Sequence, residues 1–282
     1  MARFDDPEKI DYATFVTAHE LAHQWWAHQV VGADMQGATA LSETLAQYSA
    51  LMVMEKTHGP DRLRKFLKRE LDGYLGSRGR EAIEELPLAR VESQQQYIHY
   101  RKGTLVLYLL RDTIGEDAVN RALRRVLEPN RFKGAPYPTS VSLVQALRAE
   151  AGPEHQTLIT DLFERITLYD LKARDPKVTR RADGRFDVSF TVEAKKLYAD
   201  GQGEETEAPL KETFDVGVFS AEPGKKGFAP RDVLLFERRP LRSGAQTVSV
   251  TVDRAPRFVG VDPYNKRIDR DSEDNLVKAE GA

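Results

Sequence analysis

Apolar residues recur at two different periods along this chain. From about residue 11 to 168 the spacing is helical. Leu63, Phe66, Leu67, Leu71 and Tyr74 fall on one helix face, and Gly59-Pro60 ahead of them supplies a start signal. Leu41, Leu45, Tyr48 and Met52 mark the core face of an earlier helix. Ala46, Gln47 and Ala50 give that helix a smaller face, on the side of Glu43, which permits close approach of a neighbour. Residues 104–110 are apolar nearly all round, as in a buried helix. Further helices are expected over 116–127, 141–150 and 157–166.

From about Leu171 the period changes to two. Phe186, Val188, Phe190 and Val192 alternate with Asp187, Ser189 and Thr191, which predicts a half-buried strand. Ala182-Asp183-Gly184 before it reads as a hairpin turn. More strands are expected over 213–219, 233–237, 247–252 and 258–261. The fold class is therefore α + β and multidomain. A helical subdomain over 1–170 precedes a small antiparallel β-sandwich over 171–264, and a charged, peripheral tail follows over 265–282. There is no internal repeat or low-complexity tract.

Composition narrows the function classes. The 282 residues carry 42 basic and 44 acidic side chains, so no global basic field points to nucleic acid. Cysteine is absent, which excludes disulfides and thiolate metal sites; any metal must use His, Asp or Glu. The longest apolar run, 105–110, is far too short to cross a membrane, and residues 1–6 hold no hydrophobic signal core. The chain reads as a soluble piece. Its most informative motif begins at His19, which is early, and the expectation is a piece of a longer parent.

That motif is His19-Glu20-Leu21-Ala22-His23, an H-E-x-x-H run inside a helical segment. Histidines four apart project from one face, one turn apart, and both rings can reach a single ion. Glu20 lies roughly 100° round the helix, where it can hydrogen-bond a water without ligating the metal. A catalytic zinc commonly adds one carboxylate to two histidines and keeps a position open. Glu43 on the next helix is the candidate, although by itself it reads better as a solvated carboxylate, since most glutamates are exposed. Tyr100 is a candidate phenol donor, and Tyr97 one turn earlier is its fallback. Without further context both would simply pack a helix face.

His19-Glu20-Leu21-Ala22-His23-Gln24-Trp25-Trp26, then Leu41-Ser42-Glu43 and Tyr100-Arg101-Lys102-Gly103, resembles the M1 aminopeptidase family of gluzincins. More closely, it resembles the M1-type peptidase domain of bacterial proteins that also carry ABC-permease-like membrane segments. The resemblance covers roughly residues 5–170, and the sandwich after it fits the family's domain order. It implies one zinc ion per chain, held by His19, His23 and Glu43. Glu20 would be the base, Tyr100 the stabiliser of the oxyanion, and a peptide the substrate. It also implies a bacterial parent with transmembrane segments.

Two departures stand out. Glu43 falls about one residue later than in ordinary M1 enzymes, a spacing nearer that of thermolysin-like peptidases, and Ser42 replaces the usual Asn. The loop 31–40, with Gly32 and Gly37, can absorb the extra residue. No G-A-M-E-N-like segment occurs; in the family it lies upstream and anchors the substrate's free amino end. The alternatives are a thermolysin-like endopeptidase and a non-catalytic zinc-bearing module of a membrane transporter. No cysteine exists for a thiol mechanism, and nothing marks a nucleophilic serine.

Other residues read as structural. His28 is rotated off the ligand face, His99 reads as surface, and His58 and His155 sit near helix ends. Trp25 and Trp26 read as core anchors and Gln24 as support for a ligand or the base. The basic run Arg62-Leu63-Arg64-Lys65 with Lys68-Arg69 reads as a solvated face.

Overall fold

A computed structural model of the chain describes residues 10–80 and 83–279. The reading of residues 1–6 lies outside them. The chain divides into two units, Met1–Thr167 with Ala199–Glu204, and Leu168–Tyr198 with Glu205–Ala282.

The first unit is helical. Asp11 caps helix α1 (Tyr12–Ala22) by accepting the Thr14 backbone N–H at 3.1 Å. A π-helical turn, Ala40–Thr44, runs into α2 (Leu45–His58). Pro60 stands at the first turn of α3 (Pro60–Ser77), where its missing N–H costs nothing. The apolar stripe from Leu63 to Tyr74 is buried as its spacing predicted. A second π-helical turn, Tyr97–Lys102, leads into α4 (Gly103–Ile114), whose first eight residues are all buried. Helices α5 (Glu116–Asn130), α6 (Ser140–Glu150) and the short α7 (Gln156–Ile159) follow. α1 packs on α2, and α2 packs on both α3 and α4, so α2 is the central element. Leu45, Ala46, Ala50 and Leu51 are its inner residues. Each large apolar side chain so buried is worth about 1.5–3 kcal/mol.

One phase differs from the sequence pattern. Leu51 and Met54 are buried while Met52 is half-buried. The π turn ahead of α2 spends an extra residue per turn and rotates the helix relative to a uniform 3.6-residue count.

The second unit holds two four-stranded sheets. One contains β1 (Ile166–Arg180), β2 (Phe186–Ala199), β3 (Glu205–Ala208) and β6 (Gly244–Val252), with β6 antiparallel to β2. The other runs β5-β4-β7-β8, from β4 (Lys211–Phe219), β5 (Val233–Arg242), β7 (Phe258–Val261) and β8 (Leu276–Lys278). Val188, Phe190 and Val192 of β2 and Phe214, Val216 and Val218 of β4 share one core, which makes the pair of sheets a sandwich. The hairpin turn between β1 and β2 places Gly184 at φ +88°, a conformation that favours glycine.

Two segments depart from the sequence reading. The expected helix over 157–166 ends in a π turn, Thr160–Glu164, and Ile166 already begins β1. The segment 265–282 is not peripheral over its described part. Arg267, Ile268, Asp269 and Asn275 are buried, and β8 pairs with β7. Its charges are taken inside by partners: Arg267 Nη1 donates to Glu212 at 2.7 Å and Nη2 to the Thr213 carbonyl at 2.9 Å. No helix among the described residues is long and apolar enough to cross a membrane.

Candidate metal centre

His19 lies in the last turn of α1, and His23 caps its end. Their rings stand 4.7 Å apart and nearly perpendicular. The π turn before α2 brings Glu43 to them. Its Oε2 lies 3.4 Å from His19 Nε2 and 3.5 Å from His23 Nε2. Among the described residues, these three form the one group of His, Asp or Glu side chains whose ligand atoms gather closely enough to hold a metal ion.

The donor set fits zinc. Ligands about 2.0–2.1 Å from a tetrahedral zinc stand about 3.3 Å from one another, close to the two separations observed. His23 Nδ1 lies 2.8 Å from the Trp26 carbonyl, so that nitrogen carries the proton and Nε2 keeps its lone pair toward Glu43. Burial pushes the Glu43 carboxyl up. Hydrogen bonds from His19 and Tyr100 and electrostatic attraction to the two imidazoles outweigh it, so Glu43 sits below its ordinary range and is ionised.

Tyr100 comes from the second π turn. Its hydroxyl hydrogen-bonds Glu43, and its ring centroid is 5.9 Å from that of His19. Burial, then the Glu43 and Glu20 carboxylates, push the phenol up to about 12, so it holds its proton at neutral pH. Glu20 is exposed on α1. It lines the same cavity of about 500 Å³ as His19, Tyr100 and Arg101. Gln47, on the small face of α2, lines it as well. Tyr97 stacks on Tyr74 at 5.9 Å and is buried, while Tyr100 is half-exposed and nearer His19.

Several residues sit elsewhere than their sequence context indicated. Trp26 is a core residue, but Trp25 is 43% exposed, because α1 ends at Ala22 and the chain turns with Ala27 at φ +123°. The same turn removes His28 from the helix, and Gln24 Nε2 lies 3.3 Å from His28 Nδ1 instead of supporting Glu20 or a ligand. His99 is buried, not superficial, and burial lowers its ring to about 4. In the basic run, Arg64 is buried and Arg69 lies over the Tyr12 ring at 4.3 Å, so that face is not simply solvated. Sequence reading also passed over Glu70, which is buried beside the cavity. The signal present was Gly73, an unusual residue in the middle of an otherwise strong helical stripe.

The family model described as the peptidase family M1 domain matches residues 5–165. The chain is similar to a solved structure of an M1 zinc metallopeptidase variant from Deinococcus radiodurans bound to a Tyr-Ser-Ala substrate. Identity is 24% over 53% of this chain and 32% of that one, with a TM-score of 0.42. A structure of the same variant described without that peptide gives the same values. A two-domain M1 zinc metallopeptidase variant bound to L-tryptophan matches at 24% identity over 52% of this chain and 32% of that one, with a TM-score of 0.42. The chain spans about a third of the length of these structures. No similar sequence was found among curated proteins. Because the family match covers more than half of its length, the chain belongs to peptidase family M1.

Proposed function

We propose that this chain carries the catalytic centre of a zinc-dependent peptidase, working as an aminopeptidase within a longer parent. One observation carries the reading: the Nε2 atoms of His19 and His23 and Oε2 of Glu43 converge beside a cavity that also receives Glu20 and Tyr100.

His19, His23 and Glu43 would hold one zinc ion. When bound, the ion supplies a Lewis acid that acidifies water and polarises a carbonyl. Glu20 accepts a proton from the attacking water at its carboxylate and passes it to the departing amine. Tyr100, still protonated at neutral pH, donates a hydrogen bond to the scissile carbonyl oxygen as that oxygen gains charge. A single well-placed donor of this kind is worth about 10²–10³ in kcat.

Elemental analysis of the purified chain tests the first half, with about one zinc per chain expected. Glu43→Ala should lose the metal, and Glu20→Gln should keep it while losing hydrolysis. Equal hydrolysis by wild type and Glu20→Gln would end the proposal. Cleavage of amino-acid amides but not of N-blocked peptides supports the aminopeptidase assignment; the reverse favours an endopeptidase.

A further inference from the structure

We infer that the cavity beside the proposed zinc site selects peptides bearing a carboxylate, and that Arg101 is the residue that reads it. This rests on the peptidase reading and adds a substrate class to it. The π turn Tyr97–Lys102 presents two consecutive residues, Tyr100 and Arg101, to one cavity.

The Arg101 guanidinium lies across the backbone of Gly73 on α3. A Cβ at Gly73 would come within 2.0 Å of Arg101 Nη1 and 2.5 Å of Cζ. Glycine inside a helix costs about 1 kcal/mol relative to alanine. Here it opens the slot in which the arginine rests. One turn earlier, buried Glu70 holds its Oε2 at 3.8 Å from Arg101 Nη1. That separation is short enough for attraction but too long for a hydrogen bond. Among the described residues no hydrogen bond occupies the Arg101 guanidinium, which is about one-third exposed. Arg69, next to Glu70, is held over the Tyr12 ring and lines the same cavity.

Two guanidinium groups therefore border the space that also holds Glu20 and Tyr100. A guanidinium offers a planar fork of donors that matches a carboxylate, and a pre-positioned one loses little entropy on pairing. The carboxylate belongs either to the C-terminus of a short peptide or to an acidic side chain.

Calorimetric binding to the zinc-loaded Glu20→Gln chain separates these sources without relying on turnover. The probes are Leu-Gly-Gly, its C-terminal amide, and the amides of Leu-Glu-Gly and Leu-Lys-Gly. At least one carboxylate-bearing peptide should bind 10-fold or more tightly than the neutral amide. Arg101→Ala should erase that preference and Arg101→Lys should keep part of it. Gly73→Ala, which retains the charge but fills its slot, should weaken it. Zinc content and thermal unfolding verify that each variant is folded. Equal affinity for all four peptides, absence of binding, or a preference unchanged in Arg101→Ala would overturn the inference. Hydrolysis by wild type without charge preference defeats this inference alone. Preference without hydrolysis defeats the peptidase reading alone.

Discussion

Gly103 lies directly against the side chain of Thr44: a Cβ on Gly103 would stand 2.6 Å from both Cγ2 and Oγ1 of Thr44. The Thr44 hydroxyl in turn donates to the His99 carbonyl at 2.6 Å. Thr44 follows Glu43 and His99 precedes Tyr100, so one glycine and one hydroxyl couple the two π turns that carry the site.

Gly103→Ala should therefore disturb the site as well as the core. Overpacking of this kind costs about 1–3 kcal/mol. Thermal unfolding should register the loss, and zinc affinity should fall with it. Thr44→Val keeps the shape and removes only the hydroxyl, leaving the buried His99 carbonyl short of a donor, at about 1–3 kcal/mol. If Gly103→Ala unfolds and binds zinc like wild type, the two turns are not coupled at this contact.

The orientation of His23 is held from outside the site. Its Nδ1 donates to the Trp26 carbonyl, and Trp26 Nε1 donates to Ser49 Oγ of α2 at 3.2 Å. Ser49 donates onward to the Leu45 carbonyl at 2.8 Å. Groups that orient a metal-binding histidine typically matter 10–100-fold in affinity. Trp26→Phe keeps an aromatic core residue but severs the link to α2. It should lower zinc affinity by about 10-fold in chelator competition, with little change in helix content. Unchanged affinity would show that the Trp26 backbone stays in place without the indole.

Much of this could be read from the sequence, for local reasons. The stripe Leu63–Tyr74 is a run of regular α-helix, so its period is undisturbed and every member is buried. The pair His19 and His23 needs only one helical turn. Glu43 and Tyr100 lie 20 and 77 positions beyond His23, in π turns where the period changes, so spacing alone could not aim them. Only the family resemblance singles them out. Glu43 lies within a π turn, which holds one residue more than an α turn, so its direction does not follow from a 3.6-residue count. The burial of Arg267, Asp269 and Asn275 escapes a local reading because such polar groups find partners distant in sequence, as Arg267 finds Glu212. That of His99 escapes it because the residue lies on the inner side of a π turn.

Lys102 is fully buried, 3.7 Å from Glu85 Oε1 and over the Tyr74 ring at 5.5 Å. Glu85 also accepts from Arg78 Nε at 2.7 Å and from the Tyr74 hydroxyl. Removing one partner of such a pair leaves a buried charge exposed to the low dielectric, so Glu85→Ala should cost about 3–5 kcal/mol. Lys102→Met removes the buried cation and leaves Glu85 still paired with Arg78 Nε and the Tyr74 hydroxyl. Burial lowers the lysine to about 8, below its ordinary 10.5. A cation disfavoured in the fold is a penalty below about pH 8, and it is relieved as pH rises toward 10.5. Lys102→Met should thus match or exceed wild type in urea stability at about pH 7, and lose that advantage by about pH 10. A constant gap across this range would contradict the assignment.

The β unit should be more stable at about pH 5 than at about pH 8. All six histidines precede residue 168, so none titrates within it. Two aspartates do instead. Burial raises Asp262 to about 7, with Asp215 adding repulsion, and burial raises Asp269 to about 7. Asp269 Oδ1 accepts the Asp271 N–H at 3.2 Å, and Oδ2 is buried with Asn275 beside the carboxyl. A carboxyl raised in the fold binds its proton more tightly there than in the unfolded chain. Its burial costs nothing below about pH 4, and stability is lost as pH climbs from there through about 7. Each tenfold gain in proton affinity is worth about 1.4 kcal/mol, so the pair costs on the order of several kcal/mol at about pH 8, a large part of a typical domain's stability. Glu212 works in the opposite sense. Burial pushes it up, but Arg267 and Lys196 hold it below its ordinary range, so its contribution fades only under about pH 4.5 and does not intrude on the window above. Amide exchange of β2 and β4, corrected for the intrinsic pH effect, should show protection falling across that window. Asp269→Asn should flatten part of the fall while retaining the bond to Asp271. Protection that is level or rising across the same window in wild type would mean that both aspartates are ionised and compensated in the fold.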